Sequence, residues 1–401
     1  MKLIESEDLV KSNRLWPKVK EYVGDPEQEL IAEEMKRRLR IALEGALKAE
    51  VLGYTRASRY QRTKLRSDYL NGYYLRNLVT RYGLVVGLRV PRRRQGGIRH
   101  QVFRRYQRRQ KAVDDWLREL FINGVSTRTV GQLMRELLGC AVSASTVSAI
   151  NKTLDHEVRA FHRRPVSNDY VYLFLDGVTQ KVMSYGRLIK KLVLVAYGIK
   201  LDGTRNIIDY RVVKGETEHD WQVFLNDLYR RGLTGEYLRL IITDGGKGLL
   251  AALELVYPHV PWQRCWVHKM RNVAGYVSRK QQKECLAGVR RIYEAPHQRG
   301  AVQRFKEWRR VWQRRSPKAV HCLEKDLDGL LPFFTQDPKL WRKIRTTNVI
   351  ERTFRELRKR TKSIYFFTNE DSCQRIIYAI FMNYNRKMEG KPLWTSKEFT
   401  H

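Results

Sequence analysis

The sequence predicts a mixed α/β sheet with helices packed on it, set between basic segments that are mainly helical. Three observations predict this. Between residues 170 and 257 the apolar pattern shortens into strand-like runs alternating with amphipathic helices. Before and after that stretch it keeps a helical period. The charge is heavily one-sided: 78 Lys+Arg against 42 Asp+Glu, a net of +36 over 401 residues. An excess of this size argues against an ordinary metabolic enzyme and for a polyanionic partner. The length suggests two to four units at roughly 100–200 residues each.

A membrane is a poor candidate for that partner. The most apolar stretch, Leu192–Leu201, is about half the ~20 residues needed to span a bilayer, and Lys200 interrupts it. The opening residues, MKLIESEDLVKSN, carry charges where a signal peptide has its apolar region. Five scattered cysteines without a CxxC pair read as reduced cytosolic thiols.

The first patterned element places Ile31, Met35, Leu39, Ala42, Leu43 and Ala46 at helical spacing, with Gly53 as its C-cap. Such a helix packs on a neighbour or on a second subunit. Residues 55–110 hold sixteen Lys/Arg and one acid, Asp68, with tyrosines interleaved. A charge run is usually a solvated face, but here the balancing acids are missing, which points to phosphate contact. Within it GLVVGLRVPRRR reads as a short strand stopped by Pro91, and QGG marks a turn.

Residues 111–155 read as three helices. The first closes at Asn123-Gly124, the second runs from about Thr127 to Leu138 and ends at Gly139, and the third starts at Ser143 or Ser145. Two helices joined by a short turn, the second opening with Ser and Thr, form a helix-turn-helix pattern, which many helical bundles also contain.

VYLFLD then reads as a buried strand ending in an acid. KLVLVAYGIKL and TRNIIDYRVV form a hairpin about Asp202-Gly203. HDWQVFLNDLYRRG is a helix closed by Gly232, YLRLIITD a second strand ending in an acid, and GGKGLLAALELVY the helix after it. From 269 the pattern is helical and basic again, with Phe305, Trp308 and Trp312 as the core stripe of a small helical domain. The tail carries two amphipathic helices, one with Ile350, Phe354 and Leu357, the other with Cys373, Ile376, Ile377, Ile380 and Tyr384.

Asp176 in YLFLDG and Asp244 in LIITDGG share one context, an apolar strand before and a glycine after. A buried carboxylate costs free energy unless paired or metal-bound, and strand carboxyl ends are where α/β sheets bind ligands. Either aspartate alone reads as well as a cap for the next turn; the pair in one basic protein favours a site. Glu351, in the first turn of a helix from Asn348, is either a capping-box glutamate or a third carboxylate, with Arg358 on its face seven residues on. Three hard carboxylates suit Mg²⁺ or Mn²⁺ and not zinc. Two such ions about 3.5–4 Å apart can drive in-line displacement at a phosphodiester. Cys265 and His268 form a C-x-x-H, either half a zinc site with no matching second pair or a support for the active site, with Cys265 as a small buried apolar group.

Taken together, RSDYLNGYYLRNLVTRYG, FRRYQRRQKAVDDWLRELFINGVSTRTV, SASTVSAINKTLDHEV, YLFLDGVTQKV, ETEHDWQVFLNDLYRRGL, LIITDGGKGLLAAL, WQRCWVHKMRNV and TTNVIERTFRELRKRTK resemble, in order and spacing, the Mutator-type transposases of bacterial insertion sequences. The resemblance covers roughly residues 55–385. It implies a ribonuclease-H-like core, a mixed five-stranded sheet, with a DDE triad of Asp176, Asp244 and Glu351. It implies supporting roles for His268 and Arg358, and an all-helical insertion between the second Asp and the Glu. One departure is visible: the family usually places an aromatic shortly before the lysine that follows the first Asp, and here GVTQ precedes Lys181.

The domain plan expected from both readings is 1–54 for a helical dimerisation region, 55–110 for basic DNA binding and 111–160 for a helix-turn-helix. The core then occupies 165–268 and 341–401, interrupted by the helical insertion 269–340. The activity implied is two-Mg²⁺ cleavage and 3′-OH strand transfer by a homodimer on double-stranded DNA, at terminal inverted repeats and target, in the bacterial cytoplasm at the nucleoid. Within the same chemistry a nuclease or resolvase would cut without joining. A regulator that binds without cutting would be expected to lack an intact triad.

Overall fold

The computed structural model describes residues 26–394, apart from 59, 96, 97, 99, 105, 123, 124, 126 and 363. The expected closures at Asn123-Gly124 and at the two glycines of QGG lie outside the described residues. The chain divides into two compact units, 1–153 and 154–401.

In the first unit, helix α1 (Pro26–Thr55) runs through Gly53, which therefore does not cap it. Its C-terminal half buries Leu47 and Val51, whereas Ile31 and Met35 of the expected stripe are exposed. The basic zone contains an antiparallel hairpin, β1 (Leu70–Thr80) and β2 (Gly83–Arg93): β2 is the strand expected at GLVVGLRVPRRR, and β1 adds a partner in a region expected to be mainly helical. Pro91 does not end β2: a two-stranded ribbon leaves one edge unpaired, so a residue without an N–H is tolerated there. Asp68, the one acid of the zone, is buried, accepts the Tyr69 and Gln95 N–H groups and faces Arg93. It does not dilute the surface charge. Helices α2 (Lys111–Ile122), α3 (Thr127–Leu138) and α4 (Ala144–Asn151) follow. Gly139 takes φ +64° after α3, and Ser143 caps α4 by accepting the Thr146 N–H. Val113, Leu117, Val130, Met134 and Val147 form their shared core with Val79 of β1.

The second unit opens with α5 (Leu154–Arg163), tied to the C-terminal helix by an Asp155–Arg375 ion pair. Its sheet has five strands, β3 (Tyr170–Ser184), β4 (Arg187–Lys200), β5 (Arg205–Val213), β6 (Leu240–Thr243) and β7 (Trp262–Arg264), in the order β5-β4-β3-β6-β7. The three longest pair antiparallel; β6 and β7 add in parallel. On one face α6 (Glu218–Arg230) and α7 (Lys247–Val256) bury Trp221, Phe224, Leu228, Leu249 and Leu253 against Leu173, Leu175, Leu194 and Ile241. The other face receives α13 (Asn348–Thr361) and α14 (Glu370–Met388), with Tyr210 against Phe381.

Between the two groups of helices lie α8 (Trp266–Ala274), α9 (Arg279–Tyr293), α10 (Gln298–Arg315), α11 (Pro317–Glu324) and α12 (Trp341–Ile344). Phe305, Trp308 and Trp312 are buried there as expected. No helix among the described residues is long and apolar enough to cross a membrane.

Candidate active site

The expected strand end at Asp176 is not an end. β3 continues eight residues beyond it in unbroken register with β4, and Asp176 sits opposite Val195. Side chains alternate along a strand, so Asp176 shares a face with Tyr172 and Phe174, the face covered by α13 and α14. It is buried and accepts the Gly177 N–H at 2.7 Å. β6, the neighbour of β3, does stop at Thr243, so Asp244 emerges from the sheet beside Asp176. Its carboxylate accepts the Gly246 N–H at 2.9 Å. Gly245, at φ +84°, lets the chain turn where a Cβ would strike the Arg264 guanidinium.

Glu351 lies in the first turn of α13. Its Oε1 is 3.3 Å from both His268 Nε2 and an Arg271 amino group. The capping box with Asn348 does not form: Thr347 stands at the N-cap and makes no side-chain cap. Arg358 is exposed on the same helix, two turns further on.

The electrostatics show that these groups face one another. Burial first, then the Asp244 charge, with a smaller push from Glu351, raise the Asp176 carboxyl to about 7. The His268 charge and the Gly177 N–H oppose this. The Cys265 sulfur is the largest cause holding His268 up at about 9, against burial and with help from Asp176 and Glu351. His268 is therefore a cation at neutral pH. Its Nδ1 is buried without a hydrogen bond of good geometry. Burial alone would raise the Cys265 thiol; His268 and Thr347 outweigh it and hold the thiol below its ordinary value. Cys265 is fully buried, but it is not the apolar filler expected: its sulfur accepts the Thr347 N–H at 3.2 Å and the Thr347 hydroxyl at 3.3 Å.

Sequence reasoning missed Glu216 and Arg271. A Cβ on Gly246 would lie 3.5 Å from both Asp244 Oδ1 and Glu216 Oε1, so those two carboxylates flank one glycine. Burial, then Asp244, raise the Glu216 carboxyl. The only available signal was its place in ETEHDW, immediately before the Thr217–Asp220 capping box that opens α6. Arg271 follows His268 by three residues, one helical turn, on α8.

The donor chemistry suits a hard divalent cation. Every candidate ligand is a carboxylate oxygen, and the protein offsets the charge around Asp176 only in part, through His268. Among the described residues, no three His, Cys, Asp or Glu side chains stand close enough together to hold a single ion. The aspartates face each other, and Glu351 is held aside by two cations.

Comparison with known proteins decides the family. The model described as "Transposase, Mutator family" matches residues 18–389. This chain belongs to the Mutator family of transposases. It is 36% identical over 346 residues to the transposase for insertion sequence element ISRM5 of Rhizobium meliloti, covering 86% of each chain. It is 35% identical over 357 residues to the transposase for IS406 of Burkholderia multivorans, covering 88% of this chain and 91% of the relative. It is 35% identical over 334 residues to the transposase for IS256 in transposon Tn4001 of Staphylococcus aureus, covering 82% and 84%. Asp176, Asp244, Cys265, His268, Glu351 and Arg358 all fall inside the span the family matches.

Proposed function

We propose that this member of the family is a DDE transposase of a bacterial insertion sequence. It binds the terminal inverted repeats of its element through residues 55–155, the helix-turn-helix pattern and the basic hairpin included. It hydrolyses a phosphodiester to free a 3′-OH, then directs that 3′-OH at a phosphodiester of target DNA. The observation that supports the reading is that Asp176, Asp244 and Glu351, from three separate elements, lie near enough for the charges of Asp244 and Glu351 to raise the Asp176 carboxyl; the ribonuclease-H-like core is part of the proposal. Joining two ends calls for a homodimer on DNA, working in the bacterial cytoplasm at the nucleoid.

Both steps are substitutions at phosphorus and need no oxidant or reductant. In the first, a water oxygen bonds to phosphorus, the 3′ oxygen leaves with the bonding pair, and a proton passes from the water to it. In the second, the 3′ oxygen is the nucleophile and a 5′ fragment's phosphate is transferred to it, with the displaced target 3′ oxygen taking the proton. Asp176 and Asp244 would hold Mg²⁺, with Mn²⁺ able to substitute, and Glu351 would complete the set. Two bound ions supply activation of the attacking oxygen and stabilisation of the leaving one. His268 and Arg271 hold the Glu351 carboxylate at the edge of the site, beside the aspartates. Arg358, exposed on α13, is available to a DNA phosphate.

The test uses labelled element ends in Mg²⁺, with nicks and joints mapped. Asp176→Asn, Asp244→Asn and Glu351→Gln should each abolish cleavage and joining while leaving end binding largely intact. Robust cleavage by one of them rejects that residue's role.

A further inference from the structure

Beyond Asp176, β3 and β4 leave the sheet as a ribbon whose turn is Tyr185-Gly186, with Ser184 paired to Arg187. Both turn residues have positive φ, +47° and +74°. A turn of this kind favours Asn or Gly at its first position, and a bulky residue there is strained. The strain is not repaid by packing, since Tyr185 is fully exposed. Strain kept at an exposed position is a pointer to use rather than to stability.

A second element arrives at the same ribbon. The chain after α13 pairs in parallel with β3 at Val182, through Met183 N–H to Phe367 O at 2.8 Å and Phe367 N–H to Lys181 O at 2.9 Å. Phe367 is buried by this pairing, but Tyr365 and Phe366 before it are exposed. The Lys181 ammonium lies 4.6 Å from the centre of the Tyr365 ring. The run GVTQ ahead of Lys181 contains no aromatic; Tyr365 brings one to it from the other end of the core. Residues 177–191 contain four Lys/Arg and no acid.

We infer that Tyr185, Tyr365 and Phe366, with Lys181 and Arg187, form a stacking surface for the DNA that carries the attacked phosphodiester. Flat rings beside cations, with no acid among them, match bases on a phosphate backbone. The ribbon starts at Asp176 and the tail segment follows the helix of Glu351; Tyr365 lies beside Lys181 partway along the ribbon and Tyr185 at its tip, so the rings line its length. Five residues of strand separate Asp176 from Lys181 and nine separate it from Tyr185. At ~3.3 Å per residue against ~3.4 Å per base step, the contacts fall within about five to nine steps of the attacked bond. The inference rests on the proposed function, because it places that bond between Asp176 and Asp244.

The experiment uses the full chain and a duplex element end with one 2-aminopurine at successive positions on either side of the cleavage site, followed by joining in Mg²⁺. Binding should change the probe's emission at one or more positions within that window, as the base exchanges its duplex neighbours for a ring. Tyr365→Ala and Tyr185→Asn should abolish the signal and slow joining roughly tenfold, whereas Tyr365→Phe should retain both. Tyr185→Asn relieves the turn, so its melting temperature should equal or exceed that of the wild type, separating lost contact from lost fold. If every probe responds alike in wild type and in Tyr365→Ala, and joining is unchanged, the inference is wrong. If Asp176→Asn still cuts, the proposed function fails instead. An inactive Asp176→Asn alongside tyrosine-independent signals overturns the inference alone.

Discussion

Replacing Asp176 with Asn should make the metal-free protein more stable while silencing it, and the gain should grow with pH. The folded carboxyl titrates at about 7, against an ordinary value of 3.8. Because the folded value is the higher one, the native state holds its proton where the unfolded chain has lost it. Stability therefore falls as pH rises through about 4 to 7 and levels off above that. At ~1.4 kcal/mol per unit, the full penalty above pH 7 is about 4 kcal/mol; near pH 5 it is about 1.5–2 kcal/mol. Asparagine carries no charge at either pH and can still accept the Gly177 N–H. Urea unfolding in EDTA should thus show the variant's advantage increasing by about 2.5 kcal/mol between about pH 5 and pH 8. Groups that do not face Asp176 titrate alike in both proteins and cancel in the difference; Asp244, Glu351 and His268 are coupled to it and are part of what the difference reads. An advantage that is equal at the two pH values, or a variant less stable at both, would refute the claim that uncompensated charge is stored at this position.

Three further outcomes follow from the same structure. The unbalanced charge of residues 55–110 predicts end binding that weakens steeply with salt, log K falling by ~0.9 per phosphate contact in a filter or anisotropy titration. Asp326→Ala leaves Lys269, which is 1% exposed and ion-paired to Asp326, without its partner, and also strips Arg264, 3.2 Å away; denaturation should show a loss of about 3–5 kcal/mol. Cys265→Ser should be tolerated better than His268→Ala in cleavage assays, whereas Cys265→Val, which strands the buried Thr347 N–H and hydroxyl, should destabilise by about 1–3 kcal/mol.

The core was legible wherever an apolar run was long and ended in ordinary turn chemistry. Asp202-Gly203 announced the β4–β5 hairpin, and Gly232 with φ +124° closed the segment after α6 as expected. Asp176 was read as a strand end because Gly177 follows it. The strand continues because Val178, Gln180 and Val182 keep the buried alternation, a pattern obscured by lysine and glutamine. Its turn was unreadable, since Tyr-Gly is not a sequence that favours two positive φ values. β2 was read as a strand, but its partner β1 was hidden, its alternation masked by arginine and asparagine, and β7 is three residues long, too short to show a period. The three carboxylates could be nominated from local context, but their counter-charges could not. Arg271 meets Glu351 across 80 residues, and that pairing depends on how α8 packs beside α13.

What sets Asp244, His268 and Glu351 relative to one another is a buried node that contains none of them, while Asp176 is placed beside Asp244 by the β3–β6 pairing. The Cys265 N–H donates to the Thr243 carbonyl at 2.8 Å, and the Cys265 sulfur receives two hydrogen bonds from Thr347. Thr243 immediately precedes Asp244, Cys265 precedes His268 by three residues, and Thr347 precedes Glu351 by four. The end of β6, the start of α8 and the start of α13 are thus fastened at one point, each about one turn or less from the side chain it presents. A sulfur acceptor suits that point because it is large enough to span two donors and, beside a cationic His268, carries the partial negative charge they require. Under the proposed function, the cysteine would be a positioning residue. It keeps Glu351 close enough to raise the Asp176 carboxyl, yet held aside by His268 and Arg271.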